Sequence, residues 1–173
     1  VGGDNAQQYA ELAKAMADGQ LYLEVEPPQW LVDMDNPYDK GARDELQKQT
    51  GESYLFDVAY YEGHYYVYFG VLPVLLFYLP FYLLTGSSFP TAIGVLIACI
   101  MFVLGVTALM DRFARHHFKR VSLGLFLLLQ MPLVACSGML YLVKFPTFYS
   151  LPIAMALAFT VWGLYFWLHG RST

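Results

Sequence analysis

Polar and apolar positions divide the chain into two parts. Charged residues are spread over residues 1–65, and four apolar stretches follow, at 66–84, 89–110, 121–143 and 151–168. The last three are each about twenty residues long, which is the length that an α-helix needs to cross roughly 30 Å of hydrocarbon. The pattern therefore predicts three transmembrane helices.

The first apolar stretch differs from the other three. Pro73 and Pro80 each remove a backbone donor that lipid cannot replace, and the stretch is rich in tyrosine, which prefers the headgroup level of a membrane. Only residues 71–84 are continuously non-polar in character, which is short for a span. We therefore expect residues 66–86 to form an aromatic helix at the membrane interface. A proline-kinked span is the alternative.

Periodicity in the polar part predicts an amphipathic helix over residues 5–18. Its apolar positions recur at helical spacing, Asp4 and Gln7 form a capping-box pattern at its start, and Gly19 marks its end. The apolar positions are Tyr9, Leu12, Ala13 and Met16.

The rest of the polar part shows shorter signals. Alternating Leu21, Leu23 and Val25 indicate a short extended piece, and one helical turn is expected near 41–49. The turn signal Glu62-Gly63, flanked by aromatic residues, predicts a two-stranded ribbon or an extended strap on the membrane surface.

Charge is unevenly distributed and orients the chain. Residues 1–65 carry thirteen acidic and four basic side chains, whereas residues 66–173 carry one acid and six bases. Four of those bases lie within residues 111–120, and the positive-inside rule places such a loop in the cytoplasm. Residues 1–88 are then extracytoplasmic. The predicted fold class is an α-helical integral membrane protein, with three transmembrane helices (89–168) and an extracytoplasmic N-terminal region that contains amphipathic and interfacial helices.

Composition argues against some functions. Basic runs interleaved with aromatic residues, which typify nucleic-acid binding, are missing from the polar part of the sequence. Cys99 and Cys136 both lie in apolar runs, so we expect them to be buried or lipid-facing and to carry no information on the redox compartment. The first residues, VGGDNAQQ, do not form a signal peptide and do not begin with Met. We therefore expect a preceding segment that has been removed from the chain or is not included in this sequence.

Several short motifs, in this order, resemble those of a known family. They are GGDNAQQYAELAKAMADGQLYL (2–23), NPYD (36–39), FDVAYYEGHYYVYFGVLP (56–73) and FYLLTG (81–86). Together they resemble the N-terminal third of bacterial GT-C type polytopic membrane glycosyltransferases, the relatives of protein O-mannosyltransferases and of the lipid A aminoarabinose transferase. The resemblance implies a multi-pass protein of the bacterial inner (plasma) membrane with an interfacial helix at 66–84. It also implies one span ahead of this sequence and many after it.

The resemblance further implies a chemistry. This family transfers a sugar from a polyprenyl-phosphate donor at the outer face of the membrane, which requires a general base for the acceptor hydroxyl and positive charge near the leaving phosphate. The family's acid at the start of the first outer loop falls on Asp4, the first candidate catalytic residue. Asp57, which lies among aromatic residues beside the interface, is the second.

Three residues are candidates for contact with the donor phosphate, namely Lys144, His64 and Tyr149. A divalent metal ion is considered as a cofactor, although no residue is assigned as its ligand. The second outer loop, residues 144–150, carries no acid where relatives often have one. Expected partners are membrane lipids, the polyprenyl-phosphate sugar donor, and either other membrane subunits or the remainder of the chain, but no nucleic acid.

Each candidate also has a plain structural explanation. Asp4 is equally explained as a helix N-cap, His64 as an interfacial side chain, and Lys144 as a helix-end lysine that reaches the headgroups. The second functional hypothesis is a non-catalytic membrane subunit on the same scaffold, in which glycines of the spans mark contacts with partner transmembrane helices. These glycines are Gly94, Gly105, Gly124, Gly138 and Gly163.

Overall fold

The computed structural model of the chain describes residues 7–118 and 120–170. The chain divides into two compact units, Val1–Phe89 and Pro90–Thr173. The first unit combines short helices with a two-stranded ribbon, and the described residues of the second form helices joined by short loops.

Helix α1 (Gln8–Ala17) is the amphipathic helix that the sequence predicts. Tyr9, Leu12 and Ala13 are almost completely buried, which confirms three of the four predicted apolar positions, whereas Met16 is only half-buried. The chain turns directly after the helix at Gly19, whose φ of 81° is the left-handed conformation that glycine favours. The predicted capping residue, Asp4, lies outside the described residues.

Two further helices follow in the polar region. Helix α2 (Gln29–Val32), a single turn that the sequence does not predict, buries Trp30 and Leu31. Helix α3 (Lys40–Thr50) is three turns long, where the sequence indicates only one. The difference lies in its ends, because the Asp39 carboxylate accepts hydrogen bonds from the first backbone N–H groups and Gly51 closes the helix with a φ of 72°.

The predicted aromatic ribbon is confirmed. Strands β1 (Ala59–Tyr61) and β2 (His64–Tyr66) pair antiparallel, with Tyr60 opposite Tyr65. Glu62 and Gly63 form the turn with φ values of 47° and 82°, the two left-handed conformations that a tight hairpin requires. The backbone N–H of Leu23 donates to the carbonyl of Tyr65 at 2.8 Å, so the extended piece after α1 docks against the ribbon.

The first apolar stretch forms a short helix that we call the strap helix (Val74–Thr85). Its first turn, Val74–Tyr78, is π-helical and continues into helix α4 (Leu79–Thr85) just ahead of Pro80, which cannot donate to the helical ladder. The predicted helix over 66–86 is therefore wrong in its first part, because Tyr66 pairs in β2 and helical conformation begins only at residue 72.

The strap helix has one buried side and one exposed side. It packs against α1, with Val74 and Tyr78 buried and the Tyr78 ring 5.6 Å from that of Tyr9. Leucines elsewhere on the same segment remain exposed. The exposed leucines are Leu72, Leu75, Leu76, Leu83 and Leu84.

The described residues of the second unit form four helices, namely α5 (Thr91–His117), α6 (Leu123–Ala135), α7 (Met139–Lys144) and α8 (Ser150–Gly170). Among the described residues, two helices are long and apolar enough to cross a membrane, Thr91–His117 and Ser150–His169. The chain is thus a mainly helical protein with two helices of spanning length.

Residues 121–143 form two helices where the sequence predicts one continuous span. The chain breaks between α6 and α7, where Gly138 adopts a φ of 80°. Ser137 stabilises the break, since its hydroxyl donates to the carbonyl of Val134 and accepts from the backbone N–H of Met139. Within the apolar α6, the Gln130 side-chain amide donates to the Thr107 hydroxyl of α5.

Helices α5 and α8 form the most extensive helix pair of the second unit. Gly105 lies at their closest approach, because a Cβ atom built on it would come within 3.0 Å of the Trp162 ring. Gly105 therefore lies at a helix contact within the chain, whereas the predicted contact with partner helices stays a prediction. At Gly124 and Gly163, by contrast, a Cβ would meet no described atom within 4 Å, so these two glycines mark no contact among the described residues.

Candidate functional site

The first unit contains a small, mainly apolar cleft between α1 and the strap helix, with Glu11 and Lys14 among its lining residues. Its volume is about 200 Å³. This is below the roughly 300–1,000 Å³ of sites that enclose a whole small molecule, so the cleft suits one polar group of a larger ligand. Its lining residues are Gln7, Ala10, Glu11, Ala13, Lys14, Tyr78, Tyr82, Ser88 and Phe89.

A carboxylate and an ammonium group face this cleft from adjacent turns of α1. Glu11 is half-buried there. Lys14 pairs with Glu24, with 2.5 Å between Nζ and the carboxylate oxygen. The hydrogen bond to Glu24, followed by the attraction of its charge, raises the pKa of Lys14 above its ordinary value. The cleft therefore combines a carboxylate with a cation that stays protonated.

Two tyrosines form the apolar floor beside the cleft. Tyr9 is only 1% exposed, and burial, followed by the neighbouring Tyr78, raises the pKa of its phenol well above the ordinary value. Its hydroxyl lies 3.5 Å from the carbonyl oxygen of Gly70. A phenol in this position remains neutral, so it contributes shape and a weak donor but no charge.

Asp57 lies next to the first turn of α1. The buried side-chain amide of Gln8 donates to the carbonyl of Phe56 at 3.1 Å, which ties the residue before Asp57 to the helix. Asp57 itself is half-buried and has a φ of 56°, a conformation that costs energy for a residue other than glycine. Asp4, the other catalytic candidate, precedes this turn in the sequence and lies outside the described residues.

His64 lies on the exposed side of the ribbon. It is the first residue of β2, and its ring stacks on that of Tyr22 with centroids 4.0 Å apart and an angle of 21° between the planes. The stack fixes the imidazole at the surface of the first unit while leaving it accessible.

Lys144 and Tyr149 border one short loop in the second unit. Lys144 is exposed at the end of α7, with its Nζ 5.3 Å from the centroid of the Phe145 ring, and Tyr149 is 38% exposed. The buried Ser150 closes the loop, because its hydroxyl donates to the carbonyl of Phe145 at 2.6 Å and accepts from the backbone N–H of Thr147. The two candidate donor-phosphate residues of this unit therefore belong to one ordered loop.

The described residues provide no centre for a metal ion. Within residues 7–118 and 120–170, His, Cys, Asp and Glu side chains form no group of three or more that could hold one. We therefore assign no metal ligand and derive no step through a metal ion.

Sequence reasoning missed the cleft residues Glu11 and Lys14. Both lie between the apolar positions of the predicted amphipathic helix, and their spacing of three residues places them on one face. The sequence contains no signal that Tyr82, about seventy positions further on, completes the same cleft.

This arrangement can hold one polar group of a ligand. Glu11 supplies a half-buried carboxylate, and the charge of Lys14 is compensated by its pairing with Glu24. In comparisons with known proteins, no family model, curated protein or solved structure matches this chain.

Proposed function

We propose that this chain is the N-terminal part of a bacterial inner-membrane glycosyltransferase of GT-C type. It would transfer a sugar from a polyprenyl-phosphate donor to an acceptor at the outer face of the membrane. The proposal rests on the resemblance of residues 2–23, 36–39, 56–73 and 81–86 to that family, and on the helical architecture of the chain.

The observation that carries the proposal is the packing of the strap helix on α1. The strap helix spans Val74–Thr85, which is too short to cross a bilayer, and its ring contact between Tyr78 and Tyr9 holds it against an amphipathic helix. Exposed leucines remain available to the headgroup region. This packing supports the interfacial helix that the resemblance implies for this segment.

We further propose three spans, with α6 and α7 acting together as the second. Leu123–Ala135 and Met139–Lys144 together match one membrane thickness, although Gly138 interrupts them. The basic segment 111–120 then faces the cytoplasm and residues 1–88 face outward. Loop 144–150 is outward as well.

The proposed reaction is a substitution at the sugar's anomeric carbon. The acceptor hydroxyl attacks that carbon and loses its proton to the Asp4 carboxylate, while the bond to the phosphate oxygen breaks and polyprenyl phosphate leaves with the electron pair. Asp57 supports the base, and His64 of the same unit binds the phosphate. Glu11 and Lys14 line the cleft on the same helix and would position the acceptor.

Exchange of Asp4 for Asn in the full-length protein tests the proposal. Loss of a general base lowers a rate by about 10²–10⁴-fold, so we expect that loss in a transfer assay with radiolabelled polyprenyl-phosphate sugar. Asp18→Asn, an exposed acid directly after α1, is the matched control and should retain transfer. Unchanged transfer by Asp4→Asn would exclude this residue as the base.

A second candidate function is a non-catalytic membrane subunit on the same scaffold. The observation that favours it is the absence of an acidic residue from 144–150 in the sequence. If the wild-type protein transfers no sugar and co-purifies at fixed stoichiometry with another membrane protein, the subunit is the better description. Transfer by the isolated protein would exclude it.

A further inference from the structure

The second unit contains an apolar cavity of about 720 Å³ between α5, α6, α8 and the connection that follows α5. Its volume lies in the range of sites that take up a small molecule, roughly 300–1,000 Å³. Leu129 and Trp167 are among its lining residues, and Arg120 is the one charged residue among them. A long apolar ligand with a negative charge at one end fits such a lining.

A second cavity adjoins the first at the charged end. It measures about 380 Å³ and is lined in part by Asp111, Arg115 and Arg120. Five residues line both cavities, so the two cavities adjoin, and we take the charged one as the mouth of the apolar one. The shared residues are Ala114, Phe118, Arg120, Val121 and Phe126.

The charges at this mouth favour an anion. Asp111 is already paired, since Arg115 Nε lies 3.0 and 2.8 Å from its two carboxylate oxygens. Arg120 forms no ion pair with any other described residue. The segment 111–120 carries four Lys or Arg residues and a single acid. The mouth of the apolar cavity therefore has uncompensated positive charge.

We propose that this cavity binds one acyl chain of an anionic glycerophospholipid, with the lipid phosphate at the Arg120 guanidinium. Guanidinium groups bind phosphate through two parallel hydrogen bonds, which an ammonium group does not offer. The inference requires only that α5 and α8 lie in a bilayer. It does not depend on sugar transfer or on the orientation of the chain.

The positive charge at the mouth of the cavity favours lipids whose headgroup carries no cation. A phosphatidylcholine headgroup would bring a cation towards Arg115 and Arg120, whereas phosphatidylglycerol has no cation. A basic residue near an anionic lipid contributes about 1 kcal/mol, which is roughly a fivefold preference. A helix from a second copy could fill the apolar part, but it would leave Arg120 without a phosphate.

Native mass spectrometry of the full-length protein tests the proposal. The protein is released from nanodiscs containing equal amounts of phosphatidylglycerol and phosphatidylcholine. We expect one retained phosphatidylglycerol, favoured roughly fivefold over phosphatidylcholine. Arg120→Gln should remove the preference and Arg120→Lys should keep part of it. Lys48→Gln, which removes an exposed base of the first unit, is the charge control and should leave the preference for phosphatidylglycerol unchanged.

A second pair of variants tests the cavity itself. Leu129→Trp places a large ring in the apolar lining and should abolish lipid retention. Leu128→Trp changes the neighbouring residue, which is 69% exposed and does not line the cavity, and should retain lipid. If Leu129→Trp does not fold, the lipid preference of the Arg120 variants still tests the proposal. Equal retention of both lipids, an unchanged preference in Arg120→Gln, or a lipid-free dimer would overturn the proposal.

Discussion

Trp162 of α8 donates a hydrogen bond of 2.9 Å from its indole Nε1 to the backbone carbonyl oxygen of Met101 on α5. This carbonyl is also the helical acceptor for the N–H of Gly105, four residues later. Because Gly105 has no side chain, the indole reaches the helix backbone directly. The contact joins the two helices of spanning length through a polar bond within an apolar interface.

Gly105→Ala should weaken this helix pair. The added methyl would come within 3.0 Å of Trp162 Nε1 and 3.1 Å of Val161 Cγ1, and overpacking of this kind costs about 1–3 kcal/mol. Gly163→Ala is the matched control, because its methyl meets no described atom within 4 Å and helix propensity favours alanine. Thermal unfolding in detergent, followed by circular dichroism, should show Gly105→Ala as the less stable variant. Equal midpoints would contradict the close approach.

Gln130→Leu should destabilise the contact between α5 and α6. The Gln130 amide donates to the Thr107 hydroxyl, and such bonds in membrane proteins contribute about 0.6 kcal/mol and at most about 1.7. A double-mutant cycle with Thr107→Val isolates the pair, with free energies of unfolding measured in mixed micelles. A coupling energy indistinguishable from zero would show that the bond does not form in the membrane-mimetic state.

The buried phenol of Tyr9 makes stability dependent on alkaline pH. Since burial raises its pKa in the folded state above the ordinary value of 10.0, the folded protein keeps a proton that the unfolded chain releases. The contribution to stability is complete below pH 10 and is lost progressively as the pH rises above it, with a slope of up to about 1.4 kcal/mol per pH unit.

Tyr9→Phe should therefore make the loss of stability above pH 10 shallower. Tyr65, whose pKa is also raised by burial, retains its part of the slope in this variant. Tyr61→Phe, which replaces a tyrosine that is 62% exposed, is the control and should leave the slope unchanged. Urea titrations at several pH values measure how the free energy of unfolding of each variant changes with pH. Identical slopes in the two variants would contradict the assignment to Tyr9.

The proposed orientation is checked with single cysteines in a protein whose Cys99 and Cys136 are replaced by Ala. Gln49→Cys, exposed on α3, should react with a membrane-impermeant maleimide on intact cells. His117→Cys, exposed at the end of α5, should react only after permeabilisation. The reverse labelling pattern would place the acidic region in the cytoplasm and exclude the proposed outward site.

The parts of the fold that could be predicted from the sequence are those that depend on residues close together in the chain. The ribbon was predictable because Glu62 and Gly63 supply the turn between two aromatic runs, and α1 was predictable because its apolar positions follow a single period. Helix α3 was underestimated, since its start depends on the Asp39 cap rather than on apolar spacing. The break at Gly138 was missed because a glycine inside an apolar run has the same pattern whether the helix continues or stops.

The candidate site was less predictable because it depends on packing between distant segments. Asp57 and His64 were selected from their neighbours in the sequence, but the contacts that place them come from Gln8 and Tyr22. The cleft at Glu11 exists only because the strap helix packs on α1. Such contacts join residues about forty to seventy positions apart, which pattern alone does not pair.

The π-helical turn at Val74–Tyr78 has a consequence for the length of this segment. A π-turn holds one residue more than an α-turn, and each residue of a regular helix advances the side chains by about 100°. Deleting one residue there would convert the π-turn into an α-turn. The side chains of Val74 and Tyr78 would then point in different directions around the helix axis. Insertions or deletions between Pro73 and Pro80 should therefore be far less tolerated than substitutions at the exposed Leu75 or Leu76.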